Sequence, residues 1–327
     1  MIAITGASGH VGNNLVRKLN KKGITPRILV HNPATLKKAL KGLDFEAYRG
    51  DVNDIDSLNS LFEGVETVFH CAALISISPG IIDKLRKVNV EGVKNVLEAV
   101  KKNGVKKLVH VSSIEALGDP GEGIVATEEM GFNPDKAMLE YGVTKAEASL
   151  IVQKAAENGM NVCIVCPVGV IGPNDYKPSQ MGTMIMDFYN GKLPAYPGYG
   201  GFDWVDSRDV AEGILLAAEK GKKGEVYLLT GGHATNDEMM GILEDVTGKK
   251  RPKIALPYWL MFSVGFFAEF YYKASGKEAV ITRDSARILK SNLRASSKKA
   301  KRELGFDPRP INETFKDQFE WLKKNRA

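Results

Sequence analysis

Residues 1–12 read MIAITGASGHVG, and the spacing of Gly6, Gly9 and Gly12 within them decides the fold. Met1 to Thr5 is a short apolar run of strand type, whereas Val11 to Lys22 places Val11, Leu15, Val16 and Leu19 on one helical face. The glycines therefore occupy a strand-to-helix turn. There Gly6 permits the tight reversal, Gly9 lets the backbone approach an anion, and Gly12 lets the helix close on the strand. The free N–H groups and positive end of the helix would face a diphosphate, with Ser8, His10 and Val11 completing the turn.

The alternation continues beyond the turn. Strand-like Arg27 to Val30, Phe45 to Arg49, Thr67 to Cys71, Lys107 to Ser112 and Asn161 to Cys166 are separated by helical stretches such as Ile82 to Lys102. Repeated βαβ units predict an α/β fold with a doubly wound parallel sheet, whose ligands bind beyond the carboxyl ends of the strands. After Pro167 the stretches VGVIGPNDYKPSQMG and LPAYPGYGGF read as loops around a short helix. A helix from Asp206 to Glu219 and a strand from Glu225 to Thr230 should rejoin the sheet, followed by mostly helical sequence from Asn236 to Lys324. The expected division is a dinucleotide-binding domain at 1–167, with 206–232 rejoining it, and a smaller substrate lobe from 168–205 and 233–327.

A chain of 327 residues with 43% hydrophobic content and a net charge of +6 is globular and suits an anionic ligand. Its basic clusters, Lys37 to Lys41 and Ser297 to Arg302, lack interleaved aromatics, so no nucleic-acid partner is expected. Cys71, Cys163 and Cys166 form neither a metal spacing nor an even framework. The five histidines, His10, His31, His70, His110 and His233, show no metal pairing, and His70 and His110 read as satisfied structural residues. A strand beginning at the first residues leaves no room for a signal peptide, and a cytoplasmic location is expected. Leu256 to Tyr272 is apolar but broken by Ser263, Gly265 and Glu269; it does not read as a transmembrane span, while peripheral membrane contact stays open.

The chemistry is concentrated in LEYGVTKAEAS, where Tyr141 and Lys145 stand four apart on one helical face. A tyrosine ionises near pH ~10, and a neighbouring ammonium favours its phenolate. Upstream, VHVSSIEALG puts Ser112 and Ser113 at the carboxyl edge of a strand. Together TGASGHVG, GDVND, VFHCAALI, VNVEGVKN, SSIEALG and the Tyr141/Lys145 pair resemble the extended short-chain dehydrogenases/reductases, of the epimerase/dehydratase superfamily and Rossmann fold. The resemblance covers essentially the whole chain. It implies that Ser113 orients a carbonyl, Tyr141 transfers the proton, and Lys145 holds the nicotinamide ribose and lowers the Tyr141 pKa. It further implies that Asp51 and Val52 meet the adenine, that Cys71, Ala72 and Ala73 line the dinucleotide, that Asn89 supports this wall, and that Pro167 to Val170 close over the nicotinamide. Family members are commonly dimers, so a homodimer is expected.

Strand two ends without the ribose-binding carboxylate that NAD users would carry at Val30. The stretch instead resembles dihydroflavonol reductases, with His31 in the position of their arginine and Lys38 in that of their phosphate-binding lysine. NADP(H) is therefore favoured, with NAD(H) as the alternative. Glu115 is a candidate substrate-site residue, or a carboxylate capping its loop. Sugar-nucleotide dehydratases place TDE at Ser113, Ile114 and Glu115; Ile114 replaces their acid, and SSIE instead resembles 3β-hydroxysteroid dehydrogenases. Cys166 stands where nucleotide-sugar epimerases carry arginine before proline, and the aromatic segment near 256–272 resembles the dihydroflavonol reductase and hydroxysteroid dehydrogenase branch. The reading is an NADP(H)-preferring oxidoreductase for a small-molecule substrate, a bulky lipophilic carbonyl compound or secondary alcohol. Its rivals are a nucleotide-sugar epimerase with retained NAD and a non-catalytic dinucleotide-sensing regulator.

Overall fold

The computed structural model describes residues 1–121, 123–177, 179–275 and 282–326. Strand β1 (Ile2–Thr5) turns through the glycines into α1 (His10–Lys21), followed by β2 (Arg27–Val30), α2 (Pro33–Ala39), β3 (Glu46–Arg49), α3 (Ile55–Phe62) and β4 (Thr67–His70). Helix α4 (Ile82–Arg86) runs through a π-helical turn at Lys87–Glu91 into α5 (Gly92–Lys102). Then come β5 (Lys107–Val111), β6 (Val125–Ala126), α6 (Glu140–Glu157), β7 (Val162–Pro167) and β8 (Gly169–Ile171). Helix α7 (Gln180–Tyr189), β9 (Tyr196–Pro197), β10 (Gly201–Asp206), α8 (Ser207–Lys220), β11 (Val226–Leu229), β12 (Gly232–Thr235) and α9 (Asn236–Thr247) follow. The chain closes with β13 (Ala255–Leu256), α10 (Tyr258–Ser275), α11 (Arg283–Ser291), β14 (Arg294–Ala295), α12 (Lys298–Leu304) and α13 (Ile311–Arg326).

Seven parallel strands form the central sheet in the order β3-β2-β1-β4-β5-β7-β11. Its strands are mostly apolar because helices cover both faces; β7 and the edge strand β11 are buried at every position, while β4 and β5 also bury His70, Lys107 and His110. The winding reverses between β1 and β4, which opens a crevice at their carboxyl ends. Two loops meet there. Gly6 has φ +76°, and a Cβ on it would lie 2.6 Å from the Ala72 nitrogen. A Cβ on Gly12 would lie 2.1 Å from the Gly6 carbonyl oxygen.

Two sequence expectations change. The run read as loops after Pro167 contains β8, β9 and the start of β10, and β8, β10 and β12 form a second, three-stranded sheet. Its glycines serve close backbone approach rather than chain reversal: a Cβ on Gly201 would lie 2.7 Å from the Ala234 carbonyl oxygen, and one on Gly169 would meet the Trp204 ring. The helix expected from Ile82 to Lys102 carries the π turn, which brings Asn89 against the loop after β4. Beyond the main core, Ile171, Ile185, Phe188, Met240, Leu243, Phe315 and Phe319 share a separate apolar cluster. Residues 276–281 and Ala327, part of the expected smaller lobe, lie outside the described residues.

Since no Cβ fits at Gly12 without moving backbone, Gly12→Ala should cost about 1–3 kcal/mol. Urea unfolding checks this: the midpoint should fall, and a wild-type midpoint would show that the turn is not sterically constrained.

Candidate active site

The first turn of α6 carries Tyr141, and Lys145 lies one turn further along. Glu140 pins that turn in place, its two carboxylate oxygens accepting from the Gly80 and Ile81 N–H groups at 2.7 and 2.9 Å. Thr144 donates to the Tyr141 carbonyl at 2.9 Å and also meets the Asn89 amide at 3.1 Å. Asn89 then bonds both polar groups of Leu74, at 2.8 and 3.0 Å, so the loop after β4 is fixed to α6. Facing Tyr141, Ser113 caps the start of the turn after β5, and its hydroxyl is near enough to favour the Tyr141 phenolate. Gly142 allows α6 to close on this turn; a Cβ there would lie 2.9 Å from the Glu115 carbonyl oxygen.

Burial governs the electrostatics. Lys145 is buried, donates to the Val111 carbonyl at 2.7 Å, and is pushed down to about 8 by desolvation. Tyr141 is pushed above its ordinary value, first by burial and further by the Glu115 carboxylate, with the nearby Ser113 hydroxyl acting in the opposite direction. The lowering of the Tyr141 pKa by Lys145 that the resemblance implies is not seen in the protein alone, where burial holds the phenol protonated. Burial, with Asp119 nearby, raises Glu115 to about 7. The Cys71 and Cys166 thiols are pushed up to about 12, so neither supplies a thiolate at neutral pH. Cys166 is fully buried. Its lack of charge therefore does not describe the pocket wall.

The crevice between β1 and β4 fits a dinucleotide. The α1 N-terminus has no side-chain cap and no acidic residue in its first turn, leaving its N–H groups available to a diphosphate. The Gly9 N–H closes the turn on the Gly6 carbonyl at 3.0 Å, beside Ser8 and Val11. The loop of Cys71, Ala72 and Ala73 faces the turn, with the Ala72 N–H 3.4 Å from the Thr5 hydroxyl. After β3, Val52, expected to meet the adenine, is buried, and its carbonyl accepts from the Asn95 amide at 3.0 Å.

Other expected residues are placed differently. The His10 ring turns away from the glycine turn, its Nε2 lying 3.0 Å from each of the Gly172 and Pro173 carbonyl oxygens, so the side chain tethers that loop. His31 sits at the end of β2 and meets Asp51 at 2.7 Å. Lys38 is exposed in the last turn of α2 and makes no ion pair with described residues. Pro167 ends β7 within the sheet, while Val170 pairs with Val205 in the smaller sheet. The loop cap considered for Glu115 belongs to Ser113, whose hydroxyl accepts from the Glu115 N–H at 3.3 Å. The histidine pair also departs from expectation. His70 Nδ1 meets the Thr5 hydroxyl at 2.7 Å, but His70 Nε2 and both His110 nitrogens have no hydrogen-bond partner among the described residues. Strand register sets the two rings side by side, 5.3 Å apart, and burial lowers His70 to about 3 and His110 well below its usual range.

Sequence reasoning missed Glu140 and Thr144. Their signals were present: an acidic residue in the first turn of a helix, and a threonine three residues after Tyr141.

A glycine turn at the switch point of a parallel sheet, beside a helix that presents Tyr and Lys, is how the NAD(P)-dependent short-chain dehydrogenases/reductases are built, and the chain is an enzyme of this class. The sequence model of the NAD dependent epimerase/dehydratase family matches residues 2–230, and the chain belongs to that family. It is 35% identical to sterol demethylase protein B of Methylococcus capsulatus, with 98% of each chain covered. It is 28% identical to 3beta-hydroxysteroid-dehydrogenase/decarboxylase isoform 1 of Arabidopsis thaliana, across 98% of this chain and 80% of that one. The crystal structure of gox2253 matches with a TM-score of 0.86 and 32% identity, across 100% of this chain and 98% of that one. No helix among the described residues is long and apolar enough to cross a membrane.

The Glu115 carboxyl, raised from 4.5 to about 7, holds its proton to higher pH in the folded chain than in the unfolded one. Native stability is therefore full below the unfolded pKa and falls as pH rises through the folded one. Glu115→Gln cannot ionise, so its stability relative to wild type should grow by about 1–3 kcal/mol from acidic to neutral pH. Denaturation at a series of pH values checks this; a pH-independent difference would mean that the carboxyl is not desolvated.

Proposed function

We propose that the protein is an NADP(H)-preferring reductase that moves hydride to the carbonyl carbon of a lipophilic cyclic ketone, with the reverse oxidation sharing the same site. The observation that carries this reading is Tyr141 beside Ser113 and one helical turn from the buried Lys145, with the phenol held protonated by burial as a donor for an incoming carbonyl oxygen. When bound, the dinucleotide supplies the hydride from its nicotinamide ring. Ser113 and Tyr141 donate hydrogen bonds to the carbonyl oxygen, and Tyr141 gives up its proton as the alkoxide forms. Lys145, behind Tyr141, is the residue to hold the nicotinamide ribose, and its ammonium supports the phenolate left after transfer. The Gly6 to Gly12 turn with Cys71 to Ala73 would hold the remainder of the cofactor. The substrate-binding lobe would comprise 168–205 and 233–327.

Support for the substrate class comes from relatives whose names specify a sterol and a 3β-hydroxysteroid. Preference for NADP(H) rests on the missing carboxylate at Val30 and on the exposed His31 and Lys38, which remain accessible to a 2′-phosphate. The Asp51 partner of His31 orients the ring but also brings a negative charge nearby. Lys38 is therefore the more telling residue.

Steady-state rates with NADPH and NADH on a panel of 3-ketosteroids, aryl ketones and nucleotide-sugars test the proposal. NADPH should give the higher kcat/KM on a lipophilic ketone, and Lys38→Ala should narrow the NADPH/NADH ratio by about tenfold. Preference for NADH would overturn the phosphate-site assignment. Epimerisation of a nucleotide-sugar with the cofactor retained, and no ketone reduction, would overturn the substrate reading.

A further inference from the structure

Helix α10 is apolar or aromatic around most of its circumference, YWLMFSVGFFAEFYYKAS, yet the protein covers only one side of it. A helix apolar all round belongs in a core or in lipid. Its inner side packs on α11: Met261 is buried, and Gly265 lies so close to the Thr282–Arg283 peptide that a Cβ would sit 2.7 Å from it. Glu269 is turned inward and paired with Arg283 at 2.8 Å. The other side presents Trp259, Phe266, Phe267, Phe270 and Tyr271 at helical spacing, with Trp259, Phe267 and Phe270 being 67, 71 and 77% exposed.

The charges beside this face include three cations, of which Arg287 also pairs with Asp284 at 3.0 Å and Arg283 with Glu269, while Lys290 makes no ion pair with described residues. Lys290 lies 4.7 Å from the Tyr258 ring centre, Arg287 5.4 Å from that of Phe262, and Arg283 5.3 Å from that of Phe266. The segment leading into α10 adds exposed Lys250, Lys253 and Ile254, and neither lysine has an ion-pair partner among the described residues. A protein interface is depleted in lysine at its core. Trp and Tyr above apolar rings, bordered by Lys and Arg, instead match the carbonyl and phosphate levels of a bilayer.

We propose that the outer face of α10 docks on the surface of an anionic lipid bilayer, with Phe267 and Phe270 inserted and the basic residues on the phosphates, without spanning it. The inference is independent of the substrate reading, since it needs only this surface. Purified protein is sedimented with vesicles of phosphatidylcholine alone and of phosphatidylcholine mixed with phosphatidylglycerol. It should pellet with the mixed vesicles and be released by added salt, and Phe267→Glu/Phe270→Glu should weaken the partition by about tenfold or more. Emission should shift to the blue on addition of the mixed vesicles, a shift that Trp259→Phe removes; this readout does not require the double variant to fold. Absence of pelleting, pelleting unaffected by the double substitution, or an unshifted spectrum would each overturn the proposal. So would a solution dimer that the double variant dissociates while the wild type ignores vesicles, because the face would then be a protein interface.

Discussion

No side chain can be accommodated where the end of β1 passes the end of β4. The positions a Cβ would take on Gly6 and Gly12 are already filled by the backbone of Ala72 and by the Gly6 carbonyl. This steric constraint joins the halves of the sheet at the point where its winding reverses, and it leaves the α1 N-terminus uncapped beside the crevice. The loop after β4 then runs to Asn89 and Thr144, and so to the turn that carries Tyr141. Cofactor cradle and candidate proton donor are connected through this hydrogen-bonded wall.

Desolvation shapes the chemistry on that wall. It keeps Tyr141 protonated, draws Lys145 down towards neutrality and lifts Glu115 into the neutral range, so Lys145 and Glu115 are brought closer to working pH while the phenol is moved away from it. The Ser113 hydroxyl lies beside Tyr141 and opposes the rise that burial imposes on the phenol. Lys145 is held by the Val111 carbonyl, and the neighbouring His70–His110 pair, lowered by burial and by Lys145, is neutral at working pH.

Most of this was legible in the chain because short-range rules dominate it. The strand from Arg27 to Val30 was bounded correctly by its apolar run, and the Tyr141/Lys145 spacing located the helix that presents them. What escaped depends on contacts distant in sequence. Gly169 and Gly201 look like turn residues until Trp204 and Ala234 are seen to press against them. The helix around Asn89 looks regular until Leu74 demands its amide, and nothing local reveals that His110 would find no hydrogen-bond partner among the described residues. His10 shows the same limit: its place in the turn was evident, but its ring answers to carbonyls more than 160 residues away.

The account stands most directly on Tyr141 as the proton donor. The decisive measurement is single-turnover ketone reduction by Tyr141→Phe alongside NADPH binding followed by fluorescence. The account predicts that the rate falls by about 100-fold or more while the dinucleotide affinity changes little. A variant that reduces ketone at near the wild-type rate would contradict it, and the proton would then have to come from another group.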